Sequence, residues 1–421
     1  MTDKTQSKIW PVVVIGGGPA GMLAAGRAAE SGRPVLLLEK NPGLGKKLLI
    51  TGGGRCNLTN NKPELRSMLT KYKGKDQFLF SAFSQFGVVE TLAWFNGRGL
   101  ATKEENEGRI FPVSDKAQSV WEVLVDYLKE TGVTVQTGLV VAGLRIDPAT
   151  KNILIKLADQ TEIVAEKCLL ATGGTSHPET GSTGEGFKWL AKLGHTISQP
   201  EVALVPVALK EAWAKKLAGL TLPEIKITIF QNNQKQVAQK GKLLFTHFGV
   251  SGPTILNLSQ EIGDLLKYGE VTLSLDLFPS LDPGALKTKI QTLLIGESNK
   301  KLKNAVSEII PTALVAPLLS LAGIDGETAN HSVSTEDRKK LILILKSVPL
   351  QVKGLFGVDK AVVSSGGVKL EEVDFKTMQS RLIPNLYLIG DVLDVDRPSG
   401  GYSLQLCWTT GWVAGSHARG L

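Results

Sequence analysis

The chain opens with an order of residues that leaves few folds available. Pro11-Val-Val-Val-Ile15 is a short β-branched run, and Gly16-Gly-Gly18-Pro19-Ala20-Gly21 is a glycine turn. Met22–Ser31 is an alanine-rich helical stretch, and Val35-Leu-Leu-Leu-Glu39 a second apolar run. Strand, turn, helix and strand in that order make a βαβ unit. The glycines of Gly16-x-Gly18-x-x-Gly21 answer three needs: a tight turn, approach of a pyrophosphate to the backbone, and close packing of helix on strand. The helix start after Gly18 offers free N–H groups and the positive end of a dipole to phosphates. Glu39 follows Gly21 by roughly 18 residues, where a carboxylate accepts hydrogen bonds from a ribose. The pattern predicts a bound dinucleotide, and the acid at Glu39 argues against a phosphate on that ribose.

At 421 residues the chain exceeds one ordinary domain of about 150, and its pattern changes along its length. After Glu39 comes a glycine-rich loop, Asn41–Asn60, with the triplet Gly52-Gly53-Gly54. Helical patterns follow at Phe78–Phe95 and Lys116–Lys129, strand patterns at Val133–Gln136 and Ile153–Lys156, and a buried strand at Lys167–Ala171 that runs into Thr172-Gly173-Gly174. Ser182-Thr-Gly-Glu185 reads as a capping box before a helix Phe187–Leu193, with Gly194 placed to end it. From about Pro200 the chain shows strand alternation at Lys226–Phe230, Gln236–Gln239 and Val271–Leu277, with Asn232-Asn233 as a hairpin turn. Pro279–Val352 reads as helices broken at Pro311, Pro317 and Gly323. Short strand signals return after Ala361, including Leu386–Asp391, and a last helix spans Tyr402–Arg419. The predicted fold is α/β. Residues 1–199 and 361–421 form a Rossmann-like domain, interrupted by a β-rich piece (200–278 with about 346–360) and a helical piece (279–345).

Several classes are excluded. The three cysteines, Cys56, Cys168 and Cys407, lie far apart with no paired spacing, so neither a disulfide framework nor a metal site is expected. Lys4 and Lys8 precede an apolar run too short for a signal peptide, and the apolar stretch Pro311–Ile324 is too short to span a bilayer. A cytoplasmic protein without a membrane anchor is expected.

Two later segments narrow the dinucleotide. Leu170-Ala171-Thr172-Gly173-Gly174 ends one strand and Leu388-Ile389-Gly390-Asp391 ends another. With the opening motif, they make the sequence similar to FAD-binding flavoproteins of the glutathione-reductase-like class. The resemblance is closer to one microbial flavoprotein family, in which aminoacetone oxidases and BaiN-type bile-acid reductases are found. Its marks are Leu48-Leu-Ile-Thr-Gly-Gly-Gly-Arg-Cys-Asn57, Gly108-Arg-Ile-Phe-Pro-Val-Ser114, Thr246-His-Phe-Gly-Val-Ser-Gly-Pro253 and Asp391-Val-Leu-Asp-Val-Asp-Arg-Pro-Ser-Gly-Gly-Tyr402. The resemblance implies an FAD domain carrying an inserted β-barrel-like part and a helical part. It also implies cofactor contacts from Gly16, Gly18, Pro19, Ala20, Gly21, Glu39, Lys40, Lys47, Thr51, Gly53, Gly54, Arg55, Cys56, Asn57, Val141, Thr172, Gly173, Gly390, Asp391, Gly401, Tyr402, Ser403, Leu404 and Gln405. Arg397 departs from the pattern, since such relatives usually carry a small residue there.

Some of these residues make sense without the family. Three residues lacking Cβ let backbone lie against a flat or charged ligand, and Arg55 can offer a bidentate fork to phosphate. Cys56, with no resolving cysteine nearby, is expected to be a small packed group. The glycine pair Gly400-Gly401 before an apolar helix leaves free N–H groups where the resemblance implies the flavin N1–C2=O edge, and such groups stabilise negative charge there. His247, Tyr402 and Arg397 are weak catalytic candidates.

No second strand–GxGxxG–helix unit follows Gly174, so NAD(P)H, if used, is expected to bind transiently. The resulting expectation is an FAD-dependent oxidoreductase moving hydride between flavin N5 and a small organic substrate, with NAD(P)H or oxygen as redox partner. Amine oxidation is one alternative. A flavoprotein acting on RNA is another, since 48 Lys+Arg against 40 Asp+Glu make the chain basic. The lysines at Lys287–Lys303 and Arg338–Lys340 fall on helical segments and read as solvated faces, which counts against nucleic acid. Substrate, direction of the reaction, mode of FAD attachment and oligomeric state stay open at this point.

Overall fold

A computed structural model describes residues 8–72, 74–198, 202–203, 205–356, 363–364 and 366–419. In chain order it contains β1 (Ile9–Ile15), α1 (Pro19–Ala29), β2 (Val35–Glu39), β3 (Thr59–Asn60), β4 (Thr102–Glu105), β5 (Arg109–Pro112), β6 (Thr134–Thr137), β7 (Val141–Ile146), β8 (Ile153–Leu157), β9 (Glu162–Leu170) and α2 (Glu185–Lys192). Then follow β10 (Val207–Leu209), β11 (Thr221–Gln231), β12 (Gln234–Thr246), β13 (Gly249–Ser251), α3 (Pro253–Leu266), β14 (Val271–Asp276) and β15 (Val348–Leu355). The chain closes with β16 (Leu386–Leu388) and α4 (Tyr402–Ala418). It divides into two compact units, Met1–Val202 with Ala361–Leu421, and Ala203–Lys360. Pro200 and Ala361, where the sequence pattern changes, lie outside the described residues.

The first unit is built on a seven-stranded sheet ordered β6-β2-β1-β9-β8-β7, with β16 also beside β9. β1 runs parallel to β2 on one side and to β9 on the other. A strand covered on both faces must be apolar throughout, which explains why Val12, Val13 and Val14 carry no exposed surface. α4 is buried along nearly all its length and lies against α1. A Cβ on Gly411 would stand 2.6 Å from the Ala20 carbonyl oxygen, and one on Gly415 2.6 Å from that of Ala24, so these glycines set the approach of the two helices. A small antiparallel sheet, β3-β5-β4, carries the Gly108–Ser114 segment.

The second unit is a closed barrel, β10-β13-β12-β11-β14-β15. The helices within residues 279–345 belong to the same unit and share its core, with Leu286, Ile290, Leu341 and Leu345 in one cluster with Leu273 and Leu350. Asn232 and Asn233 do turn the β11–β12 hairpin, both with positive φ (48° and 65°), as a type I′ turn requires.

Two local expectations are corrected. Glu185 does not cap from the third helical position. α2 starts at Glu185 with Gly184 as N-cap at φ 74°, and Glu185 instead binds Lys40 at 2.8 Å, because the left-handed glycine turns the chain one step later. The helical pattern at Phe78–Phe95 is two helices of 10 residues, Asp76–Gln85 and Val88–Gly97, broken where Phe86 leaves helical geometry before Gly87. The combined stretch is apolar enough to cross a membrane by length and composition, but each half is far shorter than the about 20 residues a crossing needs.

Candidate functional site

The three fingerprint glycines do different things. A Cβ on Gly16, whose φ is +107°, would sit 2.4 Å from the Ala171 carbonyl oxygen, and one on Gly21 1.9 Å from that of Gly16. Both are therefore demanded by protein packing. Gly18 is unlike them: its backbone is ordinary extended chain (φ −80°, ψ −177°), and a Cβ there would meet nothing within 4 Å. That space is free for something other than protein. The first helical bond of α1 runs from Met22 N–H to the Gly18 carbonyl at 2.9 Å, so the N–H groups of Ala20 and Gly21 have no intrahelical acceptor and Pro19 has none to satisfy.

Glu39 is buried at the end of β2. Its Oε2 accepts the Gly17 N–H at 2.7 Å, and Oε1 accepts both the backbone N–H and the Nδ2 of Asn41, at 2.8 and 2.7 Å. The carboxylate thus fixes the turn, and Oε2 keeps lone-pair capacity for a ribose hydroxyl. Asn41 is a residue the sequence reading missed; its place two residues after Glu39 was the available signal. Leu139 N–H donates to the Glu39 carbonyl at 3.1 Å, which sets Val141, at the start of β7, beside this end of the sheet. Lys40 is held by Thr183 at 2.9 Å and Glu185 at 2.8 Å.

At the other end, Gly390 lies against α1: a Cβ there would be 3.1 Å from that of Ala20. Its N–H donates to Thr410 Oγ1 of α4 at 3.0 Å, a contact no local signal announced. The next residue, Asp391, pairs with the buried Arg397 guanidinium. Arg397 also donates to the Val395 carbonyl at 2.6 Å and to Ser403 Oγ at 3.1 Å. Lys47 contacts Ser176 Oγ at 3.2 Å. Desolvation pulls its ammonium below the ordinary range, opposed by Asp391 and reinforced by Arg397. Arg397 pairs with Asp391 and Lys47 feels the same carboxylate at longer range, and this concentration of positive charge suits an anionic ligand.

α4 begins at Tyr402 with Gly401 as N-cap at φ 97°. Gln405 N–H donates to the Gly401 carbonyl at 3.0 Å, leaving the N–H groups of Tyr402, Ser403 and Leu404 ahead of that first bond. With its amide oriented to suit its neighbours, Asn57 donates to the Thr59 and Ile110 carbonyls and accepts from Gly401 N–H at 3.0 Å. Asn57 therefore positions the helix entry. The Gln405 side chain is likewise committed, to Thr59, Thr91 and Thr409 at 2.6, 2.9 and 3.1 Å. Burial pushes the Tyr402 hydroxyl up to about 12.

The glycine triplet is in the left-handed region throughout, and a Cβ on Gly53 would meet nothing within 4 Å. Thr51 bonds the Leu48 carbonyl at 2.6 Å, and its own carbonyl accepts the Cys56 N–H at 3.0 Å. Cys56 is fully buried, its thiol pushed up to about 12 by desolvation. Arg55, expected to offer its fork to a phosphate, has partners within the protein. Its guanidinium is engaged by Glu105 and Asp115 and stacks 4.2 Å from the Phe111 ring centroid. Thr172 and Gly173 follow β9, and Thr172 Oγ1 is buried without a partner. His247 lies exposed at the β12–β13 turn of the second unit, 4.7 Å from the Phe248 ring.

The fold also assembles a triad-like group that sequence spacing does not reveal. His195 Nδ1 is 2.8 Å from Glu372 Oε2 and its Nε2 2.9 Å from Ser380 Oγ. Ser380 Oγ also accepts the Leu382 and Ile383 N–H groups, at 3.1 and 2.9 Å, so the hydroxyl is saturated and serves as a structural junction. No group of three or more His, Cys, Asp or Glu residues that could hold a metal exists among the described residues.

The open space at Gly18, the free N–H groups of α1, the spare lone pair of Glu39 and the positive cluster at Lys47 and Arg397 all fit FAD. Comparison with known proteins agrees. A family model described as HI0933-like protein Rossmann domain matches residues 10–417. The chain is 34% identical to a 3-dehydro-bile acid delta(4,6)-reductase from Clostridium scindens, covering 96% of this chain and 98% of that protein. It is 32% identical to a ribosomal RNA dihydrouridine synthase from Escherichia coli, covering 95% and 96%. Among solved structures, 3-ketosteroid delta1-dehydrogenase from Sterolibacterium denitrificans superposes with a TM-score of 0.55 at 14% identity, covering 98% of this chain and 99% of that one, a likeness of fold.

Proposed function

The chain belongs to the HI0933-like family and is an FAD-dependent oxidoreductase, and from that premise we propose that it reduces a carbon–carbon double bond conjugated to a carbonyl. The observation that carries this reading is a chemistry common to two relatives of nearly full length. One is named for reducing delta(4,6) bonds of a 3-dehydro bile acid, the other for making dihydrouridine. Their substrates differ greatly in size, but each name describes saturation of an alkene that a carbonyl activates.

FAD, when bound, supplies hydride transfer at N5. The chain's own residues bind and orient. Ala20 and Gly21 offer N–H groups to the diphosphate and Glu39 accepts from the ribose. Asp391, steadied by Arg397, stands with Gly390 close to Ala20, and the N–H groups of Tyr402, Ser403 and Leu404 favour negative charge at the α4 start. The Tyr402 hydroxyl, held protonated by burial, is the candidate hydrogen-bond donor to a substrate carbonyl. NAD(P)H, binding transiently, would supply the hydride and water the single proton, so that NAD(P)H is oxidised and the alkene saturated. A cytoplasmic site of action completes the reading, supported by three cysteines that are all free and buried.

The test is anaerobic. Purified holoprotein is reduced with NADPH or NADH and then mixed with a 3-oxo-delta4 steroid or with uridine-containing RNA. Return of the oxidised flavin spectrum with an equal amount of saturated product supports the proposal. Reduction of the flavin by aminoacetone and reoxidation only by oxygen would replace it with amine oxidation.

A further inference from the structure

Of the lysines that sequence inspection singles out, Lys300, Lys301 and Lys303 are neutralised. Lys300 pairs with Glu297 and Glu308, at 3.2 and 3.0 Å, and Glu327 is shared by Lys301 and Lys303. A different set is not. β12 carries Lys235, Lys240 and Lys242, all exposed, among Gln234, Gln236 and Gln239, with no acidic residue from Gln234 to Thr246. Lys240 stands directly opposite Lys226 of β11. Like charges in that position destabilise a sheet. Asp276 lies opposite Lys226 on the other side, but its carboxylate is taken by Lys346 at 2.7 Å. Among the described residues, Lys226, Lys235, Lys240 and Lys242 have no ion pair within 4 Å.

Their placement is ordered. Residues directly opposite one another in a sheet share a face. Phe230 is opposite Lys235, and Lys226 opposite Lys240, with a register shift between Thr228 and Phe230. Lys226, Thr228 and Phe230 alternate onto one face of β11. The shift therefore brings Lys235 onto the same face as Lys240, although their odd separation would otherwise put them on opposite faces. Lys242, two residues beyond Lys240, shares that face. β13 pairs only with Leu244, Phe245 and Thr246, so among the described residues the lysine-bearing half of β12 has a strand on one side only. The result is a ribbon with a lysine-bearing face and, at its end, a half-buried aromatic, Phe230.

We propose that this face of the β11–β12 hairpin docks RNA through its phosphates, adding RNA-borne pyrimidines to the small molecules on which the reductase acts. Charge complementarity selects a polyanion, and Phe230, on the same face, offers stacking to a base. A lipid surface fits less well, because Phe230, the large apolar side chain on this face, is half-buried and not free to insert. The inference rests on the reductase reading for its chemistry and on the ribbon alone for its docking.

Full-length holoprotein is titrated with unmodified ribosomal RNA made by transcription, over a range of salt, as wild type and as the triple variant K235Q/K240Q/K242Q. Three lost phosphate contacts should lower the slope of log affinity against log salt by about 2–3, and weaken binding at low salt by about tenfold or more. Bound FAD and melting temperature report the fold of the variant. The triple variant K300Q/K301Q/K303Q, at paired lysines, should leave the slope within about 1 of wild type. Equal slopes for wild type and the ribbon variant would overturn the proposal and leave these lysines as protection for an exposed strand edge. Loss of binding to phosphatidylglycerol vesicles but not to RNA would overturn it in favour of a membrane. Steroid reduction by wild type without RNA binding would remove the docking face alone; RNA binding without any alkene reduction would remove the reductase reading alone.

Discussion

Gly18→Ala separates what the protein needs from what its ligand needs. The residue has ordinary extended geometry and a methyl group there meets no protein atom within 4 Å. Restricting the unfolded chain stabilises by about 0.4–1 kcal/mol, and alanine is a poorer N-cap than glycine by a similar amount. The two effects offset, so the apoprotein should melt within a few degrees of wild type. The methyl group does, however, occupy the space left for the diphosphate. Loss of one charge-assisted hydrogen bond to an N–H of α1 costs about 1.5–3 kcal/mol, which is about 10–150-fold in Kd. Gly21→Ala supplies the contrast: its Cβ would stand 1.9 Å from a carbonyl oxygen, and destabilisation of about 2–4 kcal/mol should appear before any ligand is added. FAD titration of apoprotein by flavin fluorescence, with parallel melting curves, reads both quantities. Unchanged FAD affinity in a normally stable Gly18→Ala protein would refute the placement of the diphosphate.

Three further outcomes are expected. The thiols of Cys56, Cys168 and Cys407 are each pushed up to about 12, desolvation being the largest cause, so none should react with a thiol reagent at pH 8 until the protein is unfolded; a fast-reacting native thiol would contradict this. Lys47 sits below its ordinary 10.5 in the folded protein because of desolvation. The unfolded chain therefore binds more protons between the lowered value and 10.5, and stability rises with pH through that window. In apoprotein Lys47→Met should abolish that rise in denaturant titrations, and an identical pH dependence would count against the desolvated ammonium. Ser380→Ala strips partners from His195 and from the Leu382 and Ile383 N–H groups; a loss of about 2–4 kcal/mol is expected, and a neutral effect in thermal unfolding would mean the junction is solvated.

The opening βαβ unit is legible because its demands are local: apolar runs for buried parallel strands, glycine where backbone meets backbone, and an acid at the end of β2. The Asn232-Asn233 hairpin is legible for the same reason, since the turn geometry depends on two adjacent residues. The partners that complete the site are not. Thr410 reaches Gly390, and Gln405 reaches Thr59 and Thr91, contacts created only when α4 enters the core. Arg55 and Arg397 show the same limit from the other side. A cation's spacing says where it can reach, but Glu105 and Asp115, which claim Arg55, come from elsewhere in the fold, and only the local turn brings the nearby Asp391 onto Arg397. The ribbon lysines escape notice because their face is set by a register shift that only pairing reveals.

The burial of α4 against α1 bears on how the protein is made. β16 and α4 are translated after the whole of residues 203–360, yet they supply one neighbour of β9 and the packing partner of Ala20 and Ala24. At about 5–20 residues per second, the N-terminal strands wait on the order of 20–80 s for that helix. During this interval the barrel can mature while the nucleotide-binding half stays unfinished, with its apolar surface open to chaperones. Cofactor capture is thereby deferred to nearly complete chains, and a ribosome that stalls before Tyr402 releases a product that cannot sequester FAD.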